Sequence, residues 1–161
     1  SSHDEYAKYI EDGEANARNL SRILKKYEGS TKFLPKAVFK QGINASSTGI
    51  IYYGSTEASI QESLDLMSES GYPIDAMRLR SFPFGPEVWE FIEQHDLIFV
   101  VEQNRDAQMK TLILAEAKVA HTKLASVLCF DGSPITAKFI STKITERLSD
   151  KEIAKTAEAS K

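Results

Sequence analysis

The sequence of 161 residues has little of what builds metal centres, disulfides or membrane spans. It contains one cysteine, Cys129, and three histidines that lie far apart in the chain. A single thiol excludes an internal disulfide, a cysteine-based zinc site and a self-contained iron–sulfur cluster. No apolar run approaches the roughly 18 residues that a transmembrane helix needs, and no signal peptide is visible. We therefore expect a cytoplasmic protein that does not contact a membrane.

The phosphate-binding fingerprints G-x-G-x-x-G and G-x-x-x-x-G-K-[ST] are absent, and no nucleophile has a recognisable partner base. We expect no catalytic, cofactor-binding or metal-binding residue in this chain. Charge is unevenly spread, because residues 49–104 contain two basic residues, Arg78 and Arg80, against ten acidic ones. Such a segment disfavours binding to nucleic acid. The chain begins at Ser1 rather than Met, which favours a processed or excised piece of a longer protein.

Hydrophobic spacing predicts an arm, one compact domain and a tail. Helical spacing over residues 14–27, followed by a stretch with proline and glycine, makes residues 1–48 a helical N-terminal arm and connector. Residues 49–148 alternate buried-type strands with helices through short links. This pattern predicts a three-layer α/β/α domain with a mostly parallel sheet. Residues 149–161 lack a strong apolar face and are predicted to be frayed or borrowed by a partner. The strands are predicted at residues 50–53, 74–79, 97–101 and 127–130.

The most informative segment is the apolar run 97–101 and the polar residues after it, which are Glu102, Gln103, Asn104, Arg105 and Asp106. Five consecutive apolar residues indicate a strand buried on both faces. Ligands and partner chains meet open α/β sheets at the carboxyl ends of such strands, so the segment predicts a site. The alternative is a polar loop that caps the next helix, with Asp106 as the N-cap. A buried Glu102 needs a partner, and we expect Arg80 to lie beside it.

Two further groups each allow a functional and a structural interpretation. The segment Gly54-Ser-Thr56 follows a strand and precedes a helix, where free backbone N–H groups bind an anion or where a hydroxyl simply caps the helix. Arg78 and Arg80 are two residues apart and share a strand face. They either clamp a carboxylate or phosphate or form ion pairs with local glutamates or another subunit.

An aromatic turn and the N-terminus complete the candidates. Phe82, Phe84 and Trp89 bunch around one turn, with more aromatic surface than a turn requires. They either contact a partner or fold back onto the protein's own core. His3 and Asp4 form a polar cluster that is solvated in an isolated piece or lies at a junction in a larger protein.

Several short segments follow one another along the chain and carry a family resemblance. They are S-H-D-E (2–5), I-E-D (10–12), Y-G-S-T-E (53–57), R-L-R-S-F-P-F (78–84), V-V-E-Q-N-R-D (100–106) and D-G-S-P-I-T-A (131–137). Together they resemble the C-terminal part of the alpha subunit of 2-oxoacid:ferredoxin oxidoreductases, the 2-oxoglutarate type in particular. The resemblance extends to Leu148. One departure is Ala107, where the family usually has glycine. If that glycine has a positive φ, alanine strains the turn by roughly 1 kcal/mol, whereas alanine in the first turn of a helix costs nothing.

The resemblance implies a role for the chain inside a larger enzyme. In that family, thiamine diphosphate with magnesium is held between two other domains, electrons leave through iron–sulfur clusters to ferredoxin, and coenzyme A takes the acyl group. The chain is similar to the third module, a transketolase C-terminal-like domain that supports assembly. The implied partners are the other domains of the alpha subunit and the beta subunit. The candidate interface residues are then His3, Asp4, Arg78, Arg80, Phe82, Phe84, Glu102, Gln103, Asn104 and Arg105.

Three functions therefore compete. The first is a non-catalytic, assembly-supporting domain of such an oxidoreductase. The second is a free-standing module that binds a small ligand or nucleotide through residues 54–56 and the edge at Glu102. The third is the equivalent domain of another thiamine enzyme. The E-Q-N-R-D and D-G-S-P-I-T-A segments favour the first function over the third, and nucleotide or coenzyme A binding by the isolated chain would favour the second.

Overall fold

The structure is a computed structural model. In it, the chain forms two compact units. It describes residues 2–4, 6–40, 46–116 and 121–159. The smaller unit comprises Ser1–Pro35 and Ser81–Gly85, and the larger unit comprises Lys36–Arg80 and Pro86–Lys161. The segment 81–85 therefore groups with the N-terminal residues, although it lies between two elements of the larger unit.

The smaller unit consists of a short hairpin and one helix. Strands β1 (Ser2–His3) and β2 (Tyr9–Ile10) pair antiparallel, and helix α1 spans Gly13–Ser30. The Asp12 carboxylate caps α1 by accepting a hydrogen bond from the Ala15 N–H at 2.8 Å. The predicted helix at residues 14–27 is thus present and slightly longer than expected. None of its residues is buried.

The larger unit is built on a five-stranded sheet whose strands run in the spatial order β3-β5-β4-β6-β7. They are β3 (Val38–Lys40), β4 (Thr48–Tyr53), β5 (Asp75–Leu79), β6 (Leu97–Glu102) and β7 (Leu124–Leu128). Strands β4 to β7 are parallel, and β3 pairs antiparallel with β5 at one edge. The mostly parallel sheet is confirmed. Strand β3 lies in the predicted connector and was not expected, because three residues are too few to show alternation.

Four helices cover the two faces of the sheet. They are α2 (Glu57–Glu69), α3 (Pro86–Gln94), α4 (Gln108–Glu116) and α5 (Ala137–Ala159). The predicted three-layer α/β/α fold is therefore confirmed, and its transketolase C-terminal-like character stays a prediction. Helix α5 continues through the predicted tail as far as Ala159, so the segment is helical there and not frayed, in keeping with the helix propensity of its alanine, lysine and glutamate residues. The alternative, that a partner holds this segment, stays a prediction. No helix within the described ranges is both long and apolar enough to span a membrane.

Alternating residues of the central strands supply two separate cores. On one face, Tyr52 of β4 and Phe99 of β6 are fully buried in a cluster with Ile60 of α2 and Ile140 of α5. On the other face, the backbone of Gly49 in β4 lies directly under α3. Successive strand residues point to opposite faces, so both central strands must be apolar throughout. This requirement explains why the buried runs were visible in the sequence.

Gly49 is needed because α3 approaches the sheet closely at this point. A Cβ atom at position 49 would lie 2.9 Å from the Cε1 and Cζ atoms of Phe91 and 3.2 Å from Cδ2 of His95. Both rings are buried, and the His95 ring stacks on Phe91 with centroids 4.2 Å apart. A Cβ atom at position 49 would therefore displace the Phe91 ring, the His95 ring or both. Glycine at this position sets the distance between the helix and the sheet.

We predict that Gly49→Ala lowers the free energy of unfolding by roughly 1–3 kcal/mol, because overpacking forces buried rings from their positions. Urea denaturation followed by circular dichroism measures the change. Gly13→Ala is the matched control, since nothing lies within 4 Å of a Cβ there. It should leave stability unchanged or raise it by up to about 1 kcal/mol. An unchanged midpoint for Gly49→Ala would contradict the close approach.

Candidate functional site

Polar side chains converge at the point where the strand order of the sheet reverses. From β4 the chain passes to β5 on one side, whereas β6 pairs with β4 on the other, so the carboxyl ends of β4 and β6 are neighbours. Such a topological switch point is where open α/β sheets bind ligands. We call the group that meets here the switch-point cluster: Tyr53, Ser55, Thr56, Glu102, Gln103 and Asn104.

Glu102 is the buried centre of this cluster and has no solvent exposure. Its Oε2 accepts hydrogen bonds from the Met109 N–H at 2.7 Å and the Asn104 side-chain amide at 2.8 Å, and its Oε1 accepts from the Lys110 N–H at 3.1 Å. Met109 and Lys110 lie in the first turn of α4, where backbone N–H groups lack partners within the helix. A carboxylate at the end of β6 thus caps the next helix, where it also meets the positive end of the helix dipole.

The predicted pair between Arg80 and Glu102 is wrong. Arg80 follows β5 and Glu102 is the last residue of β6, so both lie at the carboxyl ends of parallel strands. However, β4 lies between these two strands and separates the residues. Within the described part of the chain no ion pair joins the two residues, and Arg80 is exposed. Glu102 needs no arginine because the amides of α4 and the side chain of Asn104 satisfy its carboxylate. The error arose because helix N–H groups are partners that residue types do not reveal.

Asn104 connects Glu102 to the end of β4 and to the loop before α4. Its amide nitrogen also donates to the Tyr53 hydroxyl at 3.3 Å, and its Oδ1 accepts from the N–H groups of Asp106 at 3.1 Å and Gln108 at 3.3 Å. Burial, followed by the nearby Glu102 carboxylate, raises the pKa of the Tyr53 phenol. The loop does cap the helix, as one interpretation predicted. The capping groups are Glu102 and Asn104, whereas Asp106 pairs with Arg105 at 2.7 Å.

Gln103 joins the ends of β6 and β4 directly. Its side-chain amide donates to Ser55 Oγ at 2.9 Å and to Thr56 Oγ1 at 3.3 Å. The predicted helix-capping role of these hydroxyls is wrong, since no side chain caps α2. Gly54 has φ +61°, a conformation that favours glycine and lets the chain turn from β4 into α2. Ser55 and Gln103 are exposed, so this part of the cluster faces outward.

Arg78 belongs to a separate ion-pair group at the start of α2. Its Nε lies 3.6 Å from Glu57 Oε2, and the Lys40 ammonium lies 3.0 Å from Glu57 Oε1. The buried Tyr52 donates its hydroxyl to Glu57 Oε2 at 2.7 Å. This hydrogen bond, together with the Lys40 ammonium, holds the pKa of Glu57 below its ordinary value, and burial raises the pKa of Tyr52 far above its own. The ion-pair interpretation of Arg78 is confirmed.

The N-terminal candidates have local structural contacts. Asp4 Oδ1 accepts from the backbone N–H groups of Tyr6 and Lys8, both at 2.9 Å, and so closes the turn of the hairpin. The His3 carbonyl accepts a hydrogen bond from the Asn19 side chain at 3.0 Å, and this bond joins the hairpin to α1. Both residues organise the smaller unit, and a further role at an interface stays a prediction.

The aromatic residues of the turn at residues 82–84 differ in burial, so each of the two interpretations applies to one of them. Phe82 and Phe84 lie in the smaller unit with ring centroids 5.0 Å apart, and Phe82 also contacts the Tyr27 ring of α1 at 6.0 Å. Phe84 is buried, which agrees with packing inside the protein, whereas Phe82 is 39% exposed. Trp89 belongs to α3 of the larger unit. Docking of a partner on Phe82 stays a prediction.

Ala107 adopts the strained conformation that the departure from the family pattern suggested. Its φ is +50°, in the left-handed region that alanine rarely adopts, and its carbonyl accepts the Thr111 N–H at 2.9 Å, where α4 begins. The turn is over-determined by the hydrogen bonds of Glu102 and Asn104 on either side of it. The cost-free alternative, alanine inside the first helical turn, is therefore wrong.

The described residues contain no group of three or more histidine, cysteine, aspartate or glutamate side chains able to hold a metal ion. The His121 side chain lies outside the described residues. Sequence reasoning identified Glu102, Gln103 and Asn104 but did not connect them with Tyr53 and Ser55, which approach only when β4 and β6 pair. The one available signal was that both segments follow buried strands.

Comparison with known proteins gives a related curated sequence and solved structures of similar fold. No family model matches the chain. The 2-oxoacid:ferredoxin oxidoreductase 2, subunit alpha, of Aeropyrum pernix is 27% identical over 138 residues, which are 83% of this chain and 21% of that protein. The chain thus spans about a fifth of the length of this relative. The resemblance predicted from the motifs is confirmed, because the relative is an alpha subunit of the predicted family.

A solved 2-oxoglutarate:ferredoxin oxidoreductase from Magnetococcus marinus, with 2-oxoglutarate, coenzyme A and succinyl-CoA bound, shares the fold. The match has a TM-score of 0.78 and 20% identity and covers 89% of this chain and 25% of that one. The alpha chain of a probable 2-oxoacid ferredoxin oxidoreductase from Thermoplasma acidophilum matches with a TM-score of 0.47 and 24% identity over 71% of this chain and 97% of that one. The latter value is too low to establish a common fold.

We predict that Glu102→Ala lowers the free energy of unfolding by roughly 3–5 kcal/mol, because it leaves the N–H groups of Met109 and Lys110 without partners inside the protein. Glu102→Gln should lower the free energy of unfolding by less. The side-chain oxygen of glutamine can still accept the hydrogen bond from the Met109 N–H, whereas its NH₂ group cannot accept one from the Lys110 N–H. Urea denaturation ranks the two variants. Equal stability of wild type and Glu102→Ala would show that the cap is not needed.

We predict that Ala107→Gly raises the free energy of unfolding by roughly 1 kcal/mol, because glycine adopts φ +50° without a Cβ clash. Ala58→Gly, at an exposed position of helix α2, is the control and should lower stability by up to about 1 kcal/mol. Both changes are measured as shifts of the urea midpoint at constant slope. Destabilisation by Ala107→Gly would mean that residue 107 is not strained.

Proposed function

We propose that this chain is a non-catalytic, assembly-supporting domain of a thiamine-diphosphate-dependent 2-oxoacid:ferredoxin oxidoreductase alpha subunit. In the whole enzyme, the reaction is the oxidative decarboxylation of a 2-oxoacid to an acyl-CoA, with ferredoxin as electron acceptor. The observation that carries the proposal is the sequence relationship over 83% of the chain to such an alpha subunit. The shared fold with an enzyme of 2-oxoglutarate supports it.

The geometry of the switch-point cluster supports a structural role. Glu102 and Asn104 are fully engaged with the protein, and Gln103 is held by two hydroxyl groups. A general acid or base needs a free lone pair or proton within reach of substrate. Here the polar groups satisfy one another and fix two loops in place. The cluster is built to present a rigid edge, which is what the positioning of a neighbouring domain requires.

The donor set of this chain does not fit the cofactors of the whole enzyme. Magnesium with thiamine diphosphate needs several oxygen ligands, and an iron–sulfur cluster needs cysteine thiolates. The sequence has one cysteine, which is buried, and no potential metal-binding group occurs among the described side chains. We therefore propose that other parts of the enzyme hold the thiamine diphosphate with its magnesium ion and the iron–sulfur clusters.

The exposed members of the edge define the surface that would meet the rest of the enzyme. The Arg105 side chain is 74% exposed beside the buried cluster, and Ser55 and Gln103 are exposed next to it. Polar residues around a rigid centre are typical of the rim of an interface, where they direct association. The proposed partners are the other domains of the alpha subunit and the beta subunit, in a cytoplasmic oligomer.

We predict that Arg105→Glu, placed in the alpha polypeptide that contains this sequence, weakens assembly with the beta subunit and lowers turnover in parallel. Light scattering after gel filtration measures assembly. Reduction of a dye acceptor with 2-oxoglutarate and coenzyme A measures turnover. The KM for the 2-oxoacid in the assembled fraction should be unchanged, because the edge does not touch substrate. The 161-residue chain alone should show no turnover.

Lys143→Glu is the matched control, because it makes the same change of charge at an exposed position of α5, where Lys143 pairs with Glu146. It should leave both assembly and turnover unchanged. A raised KM with intact assembly for Arg105→Glu would contradict the non-catalytic role. Turnover of a 2-oxoacid by the chain alone would contradict it directly.

A further inference from the structure

The two edges of the five-stranded sheet differ in how they are protected. Strand β3 at one edge has three residues and ends with Lys40, and short charged edge strands resist pairing with other chains. Strand β7 at the other edge has five residues, Leu124–Leu128, without charge, proline or glycine. Among the described strands it pairs only with β6. Its outer N–H and C=O groups therefore form a hydrogen-bonding edge that no other described strand covers.

The surroundings of β7 leave this edge accessible. Ala125, Ser126 and Leu128 are half-buried, whereas the interior residues of β4 and β6 are completely buried. Lys123, directly before the strand, does not guard the edge. Its ammonium donates to the carbonyls of Ile92 at 2.9 Å and Glu93 at 3.2 Å, at the end of α3. The Lys123 ammonium is thus bound at the end of α3 and is not available to protect the edge of β7.

A cleft of 430 Å³ lies along β7 and carries positive charge. Its described lining includes Leu97, Leu124 and Ser126, with Lys110 from α4 and Arg147 from α5. Helices α4 and α5 cover opposite faces of the sheet, so one cation stands on each side of the strand. None of the described lining residues is a carboxylate. The cleft therefore combines an open strand edge with two cations that an acidic ligand can reach.

We propose that β7 is a docking site for an extended acidic segment of a partner protein, which pairs with it as a sixth strand. Backbone hydrogen bonds to the edge would supply affinity, as in other cases of strand addition. Consecutive side chains of an extended segment point to opposite faces of the sheet. Two adjacent acidic residues would therefore reach Lys110 and Arg147 at the same time, which explains why the cations lie on both faces.

The same charges argue against a second copy of this chain as the occupant. An antiparallel pair of β7 strands, related by a two-fold axis, would place each face of the sheet next to the same face of the copy. Lys110 would then approach its own counterpart, and so would Arg147. Like charges across an edge oppose association and suppress the wrong partner. An acidic segment removes this repulsion, so charge complementarity selects it.

The test uses the 161-residue chain and a fluorescent peptide of sequence Val-Glu-Glu-Val-Glu-Glu-Val. We expect saturable binding by fluorescence anisotropy and, in amide hydrogen-exchange NMR, new protection of alternate residues of β7. The double variant Lys110→Glu/Arg147→Glu should bind roughly tenfold more weakly. The control double variant Lys138→Glu/Lys143→Glu has the same net charge, lies outside the cleft and should change binding less than about twofold. Thermal melts confirm that both variants are folded.

Two further peptides separate strand addition from simple charge attraction. A peptide with lysine in place of glutamate should not bind. A peptide with proline at the central valine keeps the charge but loses a backbone donor, and it should bind roughly tenfold more weakly. The proposal is overturned if the acidic peptide does not bind, if it binds without protecting β7, or if the proline peptide binds equally well. A free chain that is already dimeric with β7 protected would also overturn it, in favour of a second copy.

Discussion

The structure of the sheet at the switch point depends on one interaction. In this interaction the Glu102 carboxylate caps helix α4. A carboxylate without solvent exposure is strongly disfavoured unless every oxygen has a partner. The Met109 and Lys110 amides and the Asn104 side chain supply those partners. Because the same contacts hold the turn before α4, strand, loop and helix are fixed together. The positive φ of Ala107 persists within this frame and shows that the turn is imposed by its surroundings.

The order of the strands explains why this rigid edge has a polar surface. Strands β4 and β6 are central and buried on both faces, so their polar continuations can only project beyond the sheet. Gln103 then bonds Ser55 and Thr56 across the two strand ends, and this bond closes the space between them. The protein's own side chains thus connect the two strand ends at the switch point. In the proposed function, this connected edge with its exposed neighbours contacts another protein surface.

The sequence allows the central strands, the helices α1 to α5 and the polar segment after β6 to be predicted, because buried runs and helical spacing are strong signals. Strand β3 was missed because three residues carry no period, and β7 begins at Leu124 rather than within the apolar run that follows. The partner of Glu102 was assigned to Arg80 because charge pairs are visible in a sequence, whereas helix N–H groups are not. Contacts between Gln103 and Ser55 depend on strand order, which residue types do not encode.

The two surfaces of the larger unit that we propose as interfaces differ in their charge. At the switch-point edge, cations and carboxylates occur together, as Arg105 and Asp106 show at 2.7 Å. Along β7 the cations Lys110 and Arg147 line the cleft, and no carboxylate occurs among its described lining residues. Mixed charge at a rigid edge favours one fixed neighbour, since both signs must be matched in position. Positive charge beside an open strand instead selects a partner segment that is acidic in composition and extended in conformation. Under the two proposals, one domain holds a permanent partner at the switch-point edge and receives a second one along β7.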